Sequence, residues 1–205
     1  KLCWYASHTN SISVEKKMAL LKTIVGYANR GGNVEIKAYG VENIPSEGSF
    51  MFFPNHQGLY DVLAMIETSP RFFSIVAKIE LMKIGFLRTV FKVMGAYVID
   101  REDVRQSMKV IQSVSEDVKN GKSFLIFPEG TRSRNGNEIG EFKGGSFKSA
   151  TKAKCPIVPV AIIDSYKAFD TKSIEKVTVQ VHYLEPLYYD DYKMLKTNEI
   201  AEIVS

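Results

Sequence analysis

Short apolar runs alternate with segments of helical periodicity along this chain. The runs Ser49 to Phe53, Ser123 to Phe127 and Ile157 to Ile163 are almost wholly apolar, as is typical of strands buried on both faces of a sheet. From Asp103 to Lys119 apolar residues recur at helical spacing, and Gly121 supplies a stop signal. The order strand, helix, strand, helix predicts an α/β fold: a single domain with a central, mostly parallel sheet flanked by helices.

The remaining elements follow from the same two patterns. Strands are predicted at Val34 to Tyr39, Phe72 to Ala77, Ala96 to Ile99 and Lys176 to Tyr183. Helices are predicted at Met18 to Tyr27, from Gly58 onward, at Ile84 to Met94, Ser146 to Ala153 and Asn198 to Val204. The sequence Asn29-Arg30-Gly31-Gly32 is a loop signal, so the first helix should end before it.

Composition limits the class of protein and its partners. The chain has 45% hydrophobic and 24% charged residues, which fits an ordinary soluble core and a single domain. No segment approaches the eighteen or so uninterrupted apolar residues of a membrane span. The formal net charge of +4 is compatible with an anionic membrane surface, a phosphorylated substrate or an acidic carrier protein.

Cysteine and histidine positions argue against a metal centre. Cys3 and Cys155 have no ligand spacing, and Cys155 adjoins a predicted strand, where a buried thiol is the simplest interpretation. His8 and His182 lie outside any ligand-spaced cluster, so no metal site is predicted. A reduced, cytosolic protein is the simplest interpretation of this cysteine usage.

A histidine and an aspartate follow one predicted strand directly. His56 lies five positions before Asp61, and five residues rotate a regular helix by about 140° beyond a full turn, so the two side chains do not share a helix face. They meet only if His56 lies at or before the first turn, which Pro54 and Gly58 favour because they mark a strand-to-helix corner. Asp61 then accepts a hydrogen bond from one imidazole nitrogen and leaves the other as a base. The alternative is that Asn55 or Asp61 merely caps the helix.

A second polar cluster, residues 128–134 (PEGTRSR), follows the strand predicted to end at Phe127. It puts a glycine, a hydroxyl and two guanidinium groups at one strand end, a set suited to bidentate contact with phosphate. The alternative is a solvated turn whose arginines pair with Glu138 or Glu141. Gly144 to Ser149 has neither the GxSxG spacing of a nucleophile elbow nor the Gly-Lys step of a P-loop, and is interpreted as a loop that leads into a helix.

Four ordered blocks carry a family resemblance. They are Asn55 to Asp61, Gly95 to Arg101, Phe127 to Ser133 and Ile157 to Ala161. Through them the chain resembles the glycerolipid acyltransferases of the lysophosphatidate acyltransferase type, from about Asn55 to Ala161. The resemblance implies a glycerolipid acyltransferase-like α/β fold, with residues 33–205 as the acyltransferase domain and residues 1–32 as an N-terminal helical segment that can contact a membrane.

The resemblance also implies roles for individual residues. The implied reaction is a direct transfer without a covalent acyl-enzyme, in which His56 takes the proton of an acceptor hydroxyl while Asp61 holds the imidazole tautomer. The hydroxyl attacks the thioester carbonyl of acyl-CoA or acyl carrier protein, and Lys78 stabilises the oxyanion. The residues implied to shape the glycerophosphate site are Arg101, Glu129, Gly130, Thr131 and Arg132.

The predicted partners are lysophosphatidate, the acyl thioester as co-substrate and a membrane surface, with no cofactor and no nucleic acid. Burial of an acyl chain is worth about 0.8 kcal/mol per methylene, so a long-chain lysolipid stays in the bilayer and the enzyme works at its surface. We therefore expect a peripheral protein at the cytoplasmic face of the membrane. Candidate contacts are Met18 to Tyr27 and Phe86 to Lys92; both can instead be core helices, and for the second we favour the core.

Three alternatives remain open at this point. An acyltransferase of the same family that acts on glycerol phosphate or another lysolipid shares every motif. A hydrolase or thioesterase uses the same His56 and Asp61 pair on water, but has little need for a phosphate-binding cluster. A non-catalytic lipid-binding module tolerates loss of His56, so the intact pair counts against it.

Overall fold

The computed structural model describes residues 1–100, 102–169 and 175–205, and in this part of the chain nine α-helices alternate with seven strands. The strands are β1 (Val34–Tyr39), β2 (Met51–Pro54), β3 (Ser74–Lys78), β4 (Tyr97–Ile99), β5 (Phe124–Leu125), β6 (Ile157–Ile163) and β7 (Val177–Tyr183). The helices are α1 (Leu2–Ser7), α2 (Val14–Gly32), α3 (Tyr60–Thr68), α4 (Gly85–Met94), α5 (Val104–Lys119), α6 (Lys148–Ala153), α7 (Tyr166–Phe169), α8 (Tyr189–Tyr192) and α9 (Thr197–Val204). Short 3₁₀ helices lie at Thr9–Ser11, Val41–Asn43, Ile79–Lys83 and Gly144–Phe147.

The described strands form one sheet in the order β1-β7-β6-β2-β5-β3-β4. β2 pairs in parallel with β5 and β6, and β3 pairs in parallel with β5 and β4. β7 is antiparallel to β6, and β1 joins β7 in parallel. The predicted mostly parallel α/β sheet is confirmed. The carboxyl ends of β2 to β6 therefore meet at one edge of the sheet.

Helices cover both faces of this sheet. Phe52 of β2 enters a hydrophobic cluster with α2, α3 and α4, whereas its neighbours Met51 and Phe53 enter a second cluster with α5, α6 and α9. Successive strand residues point to opposite faces, so β2 anchors both layers. Cys155 lies in the second cluster, as the sequence predicted, and burial raises the pKa of its thiol to about 12.

The long N-terminal helix differs from the prediction. α2 continues through Arg30 to Gly32, so the loop predicted at this point is wrong. The helix ends at Asn33, whose φ of 51° and ψ of 44° are left-handed and whose N–H donates to the carbonyl of Arg30. Leu21 and Val25 pack into the core and hold α2 against the sheet. Within the described residues, no helix is both long enough and apolar enough to cross a membrane.

Two elements deviate from their predicted patterns near the carboxyl edge. α5 forms where predicted, capped by the Asp103 carboxylate, but Val104 and Met108 are 68% and 63% exposed, so only the later part of its apolar stripe is buried. β5 is shorter than predicted: the Ile126 N–H still donates to the Phe52 carbonyl at 3.0 Å, but the next residue leaves the ladder. That residue, Phe127, stacks on the ring of His56 instead.

Candidate active site

The carboxyl edge of the parallel strands carries most of the polar residues that the sequence singled out. His56 follows β2, Lys78 ends β3 and residues 128–134 follow β5. One cavity of about 770 Å³ is lined by His56, Lys78, Gly130, Thr131 and Arg132. Arg101, also predicted for this site, lies outside the residues that the structure describes.

The histidine and aspartate form the predicted pair. His56 Nδ1 lies 2.6 Å from Asp61 Oδ2, and the Asp61 side chain is fully buried. The N–H groups of Gln57 and Gly58 donate to the same oxygen at 2.7 and 3.0 Å. The chain thus wraps around the carboxylate before α3 begins, which is how the two side chains meet despite their spacing. Asp61 is not the N-cap of α3, since that position is held by Leu59.

The surroundings of His56 fix both its orientation and its tautomer. A carboxylate only accepts hydrogen bonds, so Nδ1 carries the proton and Nε2 keeps its lone pair. The ring stacks on Phe127 with centroids 3.9 Å apart, and its side chain remains 19% exposed. The His56 N–H donates to Glu129 Oε1 at 3.1 Å, and its carbonyl accepts from the Ser133 N–H at 2.8 Å. The turn after β5 therefore holds His56 through one contact to its ring and two hydrogen bonds to its backbone.

Glu129 contacts backbone atoms. It is 3% exposed, and it accepts hydrogen bonds from the N–H groups of His56 and Gly140. Burial raises the pKa of the Glu129 carboxyl, an effect that these two hydrogen bonds oppose. The Glu129 carboxylate thus links the turn after β2, at His56, to Gly140, which follows residues 128–134 in the chain.

Sequence reasoning missed three residues of this site: Gln57, Asn137 and Ser165. Ser165 follows β6, and its hydroxyl contacts Asp61 Oδ1. Gln57 Oε1 accepts from the Ser165 N–H at 3.0 Å, while Gln57 Nε2 donates to Asn137 Oδ1 at 2.8 Å. The available signal was that Ser165 follows an apolar strand, but its meaning depends on β6 lying beside β2 in the sheet.

Asn55 also has a role that the sequence did not indicate. Its amide donates to the Ile162 carbonyl at 3.0 Å and accepts from the Ile162 N–H at 2.7 Å. This side chain is 3% exposed and extends the pairing of β2 with β6 beyond the end of β2. Asn55 therefore fixes the start of the His56 turn and is not a helix cap.

Cationic side chains line the cavity near His56. Arg132, Arg134, Lys143 and Lys148 all border it, and none of the four forms an ion pair with another described residue. Glu138, proposed above as a partner for the arginines, instead accepts from the Asn135 amide. The cavity is therefore positively charged beside the imidazole.

Lys78 is placed differently from these four. Its ammonium lies 2.8 Å from Glu80, and both side chains are about half exposed. Such an exposed pair is worth roughly 0–1 kcal/mol and is easily exchanged for another partner. Lys78 can therefore turn its ammonium from Glu80 to an anion in the cavity that it lines.

The other part of the cavity is apolar. Its walls come mainly from α2, α3 and α4, with a smaller part from α5, and include Leu21, Ile24, Val25, Val62, Ile66, Leu87, Val90 and Val114. The volume lies within the range of about 300 to 1,000 Å³ that is usual for ligand sites. In the described part of the chain, no group of three or more His, Cys, Asp or Glu side chains is arranged to hold a metal ion. The site offers a base, fixed positive charge and room for an extended apolar group.

Comparison with known proteins gives consistent matches. Residues 35–163 match the family model described as Acyltransferase. The 1-acyl-sn-glycerol-3-phosphate acyltransferase of Borreliella burgdorferi is 35% identical over 66% of this chain and 54% of its own length. The chloroplastic enzyme BAT2 of the same name from Brassica napus is 30% identical over 80% of this chain and 49% of its own. This chain thus spans about half the length of these curated relatives.

A solved structure extends the match to the whole fold. The crystal structure of the 1-acyl-sn-glycerophosphate (LPA) acyltransferase from Thermotoga maritima superimposes with a TM-score of 0.76 at 25% sequence identity. The match covers 99% of this chain and 86% of that one. The acyltransferase-like α/β fold expected from the sequence is therefore confirmed.

Proposed function

Because the chain belongs to the acyltransferase family, we propose that it transfers a fatty acyl group from an acyl thioester to the free hydroxyl of lysophosphatidate, giving phosphatidic acid. The observation that carries this proposal is the cavity shared by the His56–Asp61 pair, cationic arginines and apolar helix faces. These are the three features that a phosphorylated, acylated alcohol requires. The names of the relatives support the same acceptor.

In the proposed reaction His56 is the general base. Its Nε2 removes the proton of the acceptor hydroxyl as the oxygen attacks the thioester carbonyl, and Asp61 stabilises the imidazolium that forms. The tetrahedral oxyanion collapses, the C–S bond breaks and the imidazolium returns its proton to the departing thiolate. Lys78, once it leaves Glu80, stabilises the oxyanion. A positioned base contributes roughly a hundredfold to ten-thousandfold in rate.

The acceptor phosphate binds in the proposal to Arg132, with Gly130 and Thr131 shaping the turn around it. Guanidinium groups bind phosphate through two parallel hydrogen bonds, which fixes the orientation of the glycerol. Arg101, which follows β4 in the sequence, is proposed as a second phosphate ligand. Glu129 serves the same site indirectly, because its contacts are to the backbone of His56 and Gly140.

The proposed enzyme works at the cytoplasmic face of the membrane as a peripheral protein. Ile84 and Phe86 line the cavity and are 47% and 56% exposed, so part of the surface that borders the cavity is apolar. In α2 Leu21 and Val25 face the core, whereas Tyr27 is exposed on the outer side. We propose residues 1–32 as the N-terminal helical segment that contacts the membrane and residues 33–205 as the acyltransferase domain.

A thiol-release assay tests the function. Purified protein is incubated with acyl-CoA or with acyl carrier protein, each with and without lysophosphatidate, and phosphatidic acid is identified by mass. With at least one of the two acyl donors, we expect thiol release only when lysophosphatidate is present. Release without acceptor would indicate a thioesterase, and release only with glycerol phosphate or another lysolipid would reassign the acceptor.

The His56→Ala variant tests whether the imidazole is the base in the transfer reaction. We expect it to lose transfer and to keep its circular dichroism, because the imidazole contributes little to the core. His182→Ala, on β7, is expected to keep full activity, since its ring contacts Tyr39 and Gln180 and does not line the cavity. Turnover of His56→Ala within tenfold of wild type would reject His56 as the base.

A further inference from the structure

Asp61 is a buried carboxylate with donors on both oxygens. Oδ2 receives the Gln57 and Gly58 N–H groups and His56 Nδ1, while Oδ1 receives the Ser165 hydroxyl. Asp61 and Ser165 are both fully buried, so water does not replace a missing donor at this point. An ionised carboxylate is tolerated in such a place only when hydrogen bonds compensate for its lost hydration.

The proton of the Ser165 hydroxyl has two acceptors within reach. Gln57 Oε1 lies 3.0 Å away, and Asp61 Oδ1 is closer. Gln57 Oε1 already accepts from the Ser165 N–H, which also identifies it as the oxygen of the amide. Because hydrogen bonds to a charged acceptor are the stronger ones, the hydroxyl proton goes to Asp61.

The orientation of Ser165 is itself fixed by neighbours on another loop. Gln57 Nε2 donates to Asn137 Oδ1, and the same oxygen accepts from the Asp164 N–H at 2.8 Å. Asp164 has a φ of 64°, a left-handed conformation that turns the chain sharply after β6. The hydroxyl of Ser165 is thus aimed at Asp61 by the ends of two adjacent strands, β2 and β6.

We propose that Ser165 is a positioning residue of the acyl-transfer reaction, which acts through Asp61 on His56; the proposal rests on the function proposed above. By donating to Oδ1, the hydroxyl holds the carboxylate so that Oδ2 faces the imidazole. Without it the buried Oδ1 lacks a donor, and the carboxylate rotates or draws in other groups to find one. His56 then loses the alignment of Nε2 toward the acceptor hydroxyl.

Removing the hydroxyl should lower the rate of transfer and leave substrate binding intact. For Ser165→Ala we expect kcat to fall by about tenfold to a hundredfold, with KM for lysophosphatidate and for the acyl thioester within about twofold of wild type. Ser165→Thr, which restores a hydroxyl, should recover most of this loss. Ser115→Ala is the control, because Ser115 is an equally buried serine whose hydroxyl donates to the backbone carbonyls of Ile111 and Ser149 and to no side chain of the site.

A double-mutant cycle tests whether Ser165 acts through Asp61. Single-turnover transfer is measured for Asp61→Asn with and without Ser165→Ala, with enzyme in excess. Because the Asp61→Asn change already removes the charge that Ser165 serves, the added Ser165→Ala change should lower the rate by no more than about twofold. Equal effects of Ser165→Ala in both backgrounds would overturn the proposal, as would a Ser165→Ala rate equal to that of Ser115→Ala.

A spectroscopic reading separates this proposal from the proposed function. The Nδ1 proton of a histidine bonded to a carboxylate gives a far-downfield proton NMR signal, assigned here by its loss in His56→Ala. Ser165→Ala should shift or broaden that signal, and Ser115→Ala should leave it unchanged. If the signal responds while wild type makes no phosphatidic acid, the function fails and the Ser165–Asp61–His56 link stands. An unchanged signal in Ser165→Ala overturns the link.

Discussion

Arg132 lines the cavity, and its guanidinium forms no ion pair with another residue in the described ranges. The group is therefore available to bind an anion. A charge-assisted contact of this kind is worth roughly 1.5 to 3 kcal/mol, so Arg132→Ala should raise the KM for lysophosphatidate by about ten- to a hundredfold. The KM for the acyl donor should change little. Steady-state kinetics with each substrate varied in turn give both values.

A cation outside the cavity provides the comparison for Arg132. Lys119 ends α5 at the amino edge of the sheet, where it pairs with Glu116, and Lys119→Ala should alter neither KM. If Arg132→Ala instead raises the donor KM and leaves the acceptor KM fixed, Arg132 binds the phosphates of the carrier. The assignment of residues 128–134 to glycerophosphate would then be withdrawn.

The buried carboxyl of Glu129 should make stability depend on pH. Burial raises its pKa above the ordinary value of 4.5, so the folded protein retains this proton to a higher pH than the unfolded chain does. The contribution of Glu129 to the free energy of unfolding therefore falls as the pH rises from 4.5 through the raised pKa. Glu129→Gln removes this titration. The free energy of unfolding of the variant, minus that of wild type, should increase over this pH range.

Urea denaturation at a series of pH values measures that difference. Glu138→Gln, which replaces an exposed glutamate, is the matched control. If the free energy of unfolding of Glu129→Gln, minus that of wild type, decreases as the pH rises, hydrogen bonds to the ionised carboxylate outweigh the effect of its burial.

At the scale of residues, the sequence predicts contacts that are local and misses those that depend on sheet order. His56 and Asp61 are five positions apart, so Pro54 and Gly58 were enough to indicate that they meet. Ser165 is 104 positions from Asp61, and the two meet only because β6 lies beside β2. Nothing in the local pattern around Ser165 specifies that neighbour.

Helix ends illustrate how equal local signals can have different outcomes. Gly31 and Gly32 predicted a loop, yet α2 includes both, because the chain takes the left-handed conformation that ends the helix only at Asn33. Gly95 also lies after a helix, and there the chain does end α4, with a φ of 69°. The sequence alone did not distinguish a glycine tolerated in the last turn from one required after it.

Substitution of alanine for two glycines, one in α2 and one at the end of α4, should change the free energy of unfolding in opposite directions. Gly26 lies within α2 with nothing within 4 Å of an added Cβ, so Gly26→Ala should stabilise the protein by about 0.5 to 1 kcal/mol. Gly95→Ala forces a Cβ into the left-handed conformation and should destabilise it by about 1 to 2 kcal/mol. Urea denaturation at neutral pH measures both. A destabilised Gly26→Ala would contradict the open space beside Gly26.

At the scale of the whole molecule, the sheet separates two apolar layers that have different surroundings. The layer of α2, α3 and α4 forms most of the apolar wall of the cavity, to which α5 also contributes, and Phe86, at the start of α4, is 56% exposed beside it. The layer of α5, α6 and α9 carries Ile203 on α9, which is 58% exposed. The almost wholly apolar central strands predicted a layer on each face of the sheet, but the sequence does not tell which layer meets the membrane.

These two exposed residues allow a matched test of membrane contact. Inserting the ring of Phe86 among acyl chains gains about 1.5 to 3 kcal/mol when burial is complete, so Phe86→Ser should weaken binding to vesicles about tenfold. Ile203→Ser should leave binding unchanged, because α9 lies on the other side of the sheet. Flotation with phosphatidylcholine vesicles that contain phosphatidylglycerol measures the bound fraction, and urea denaturation verifies that both variants fold. Equal losses in the two variants would show that the layer beside the cavity has no special affinity for the bilayer, and the proposed orientation of the cavity toward the lipid would be wrong.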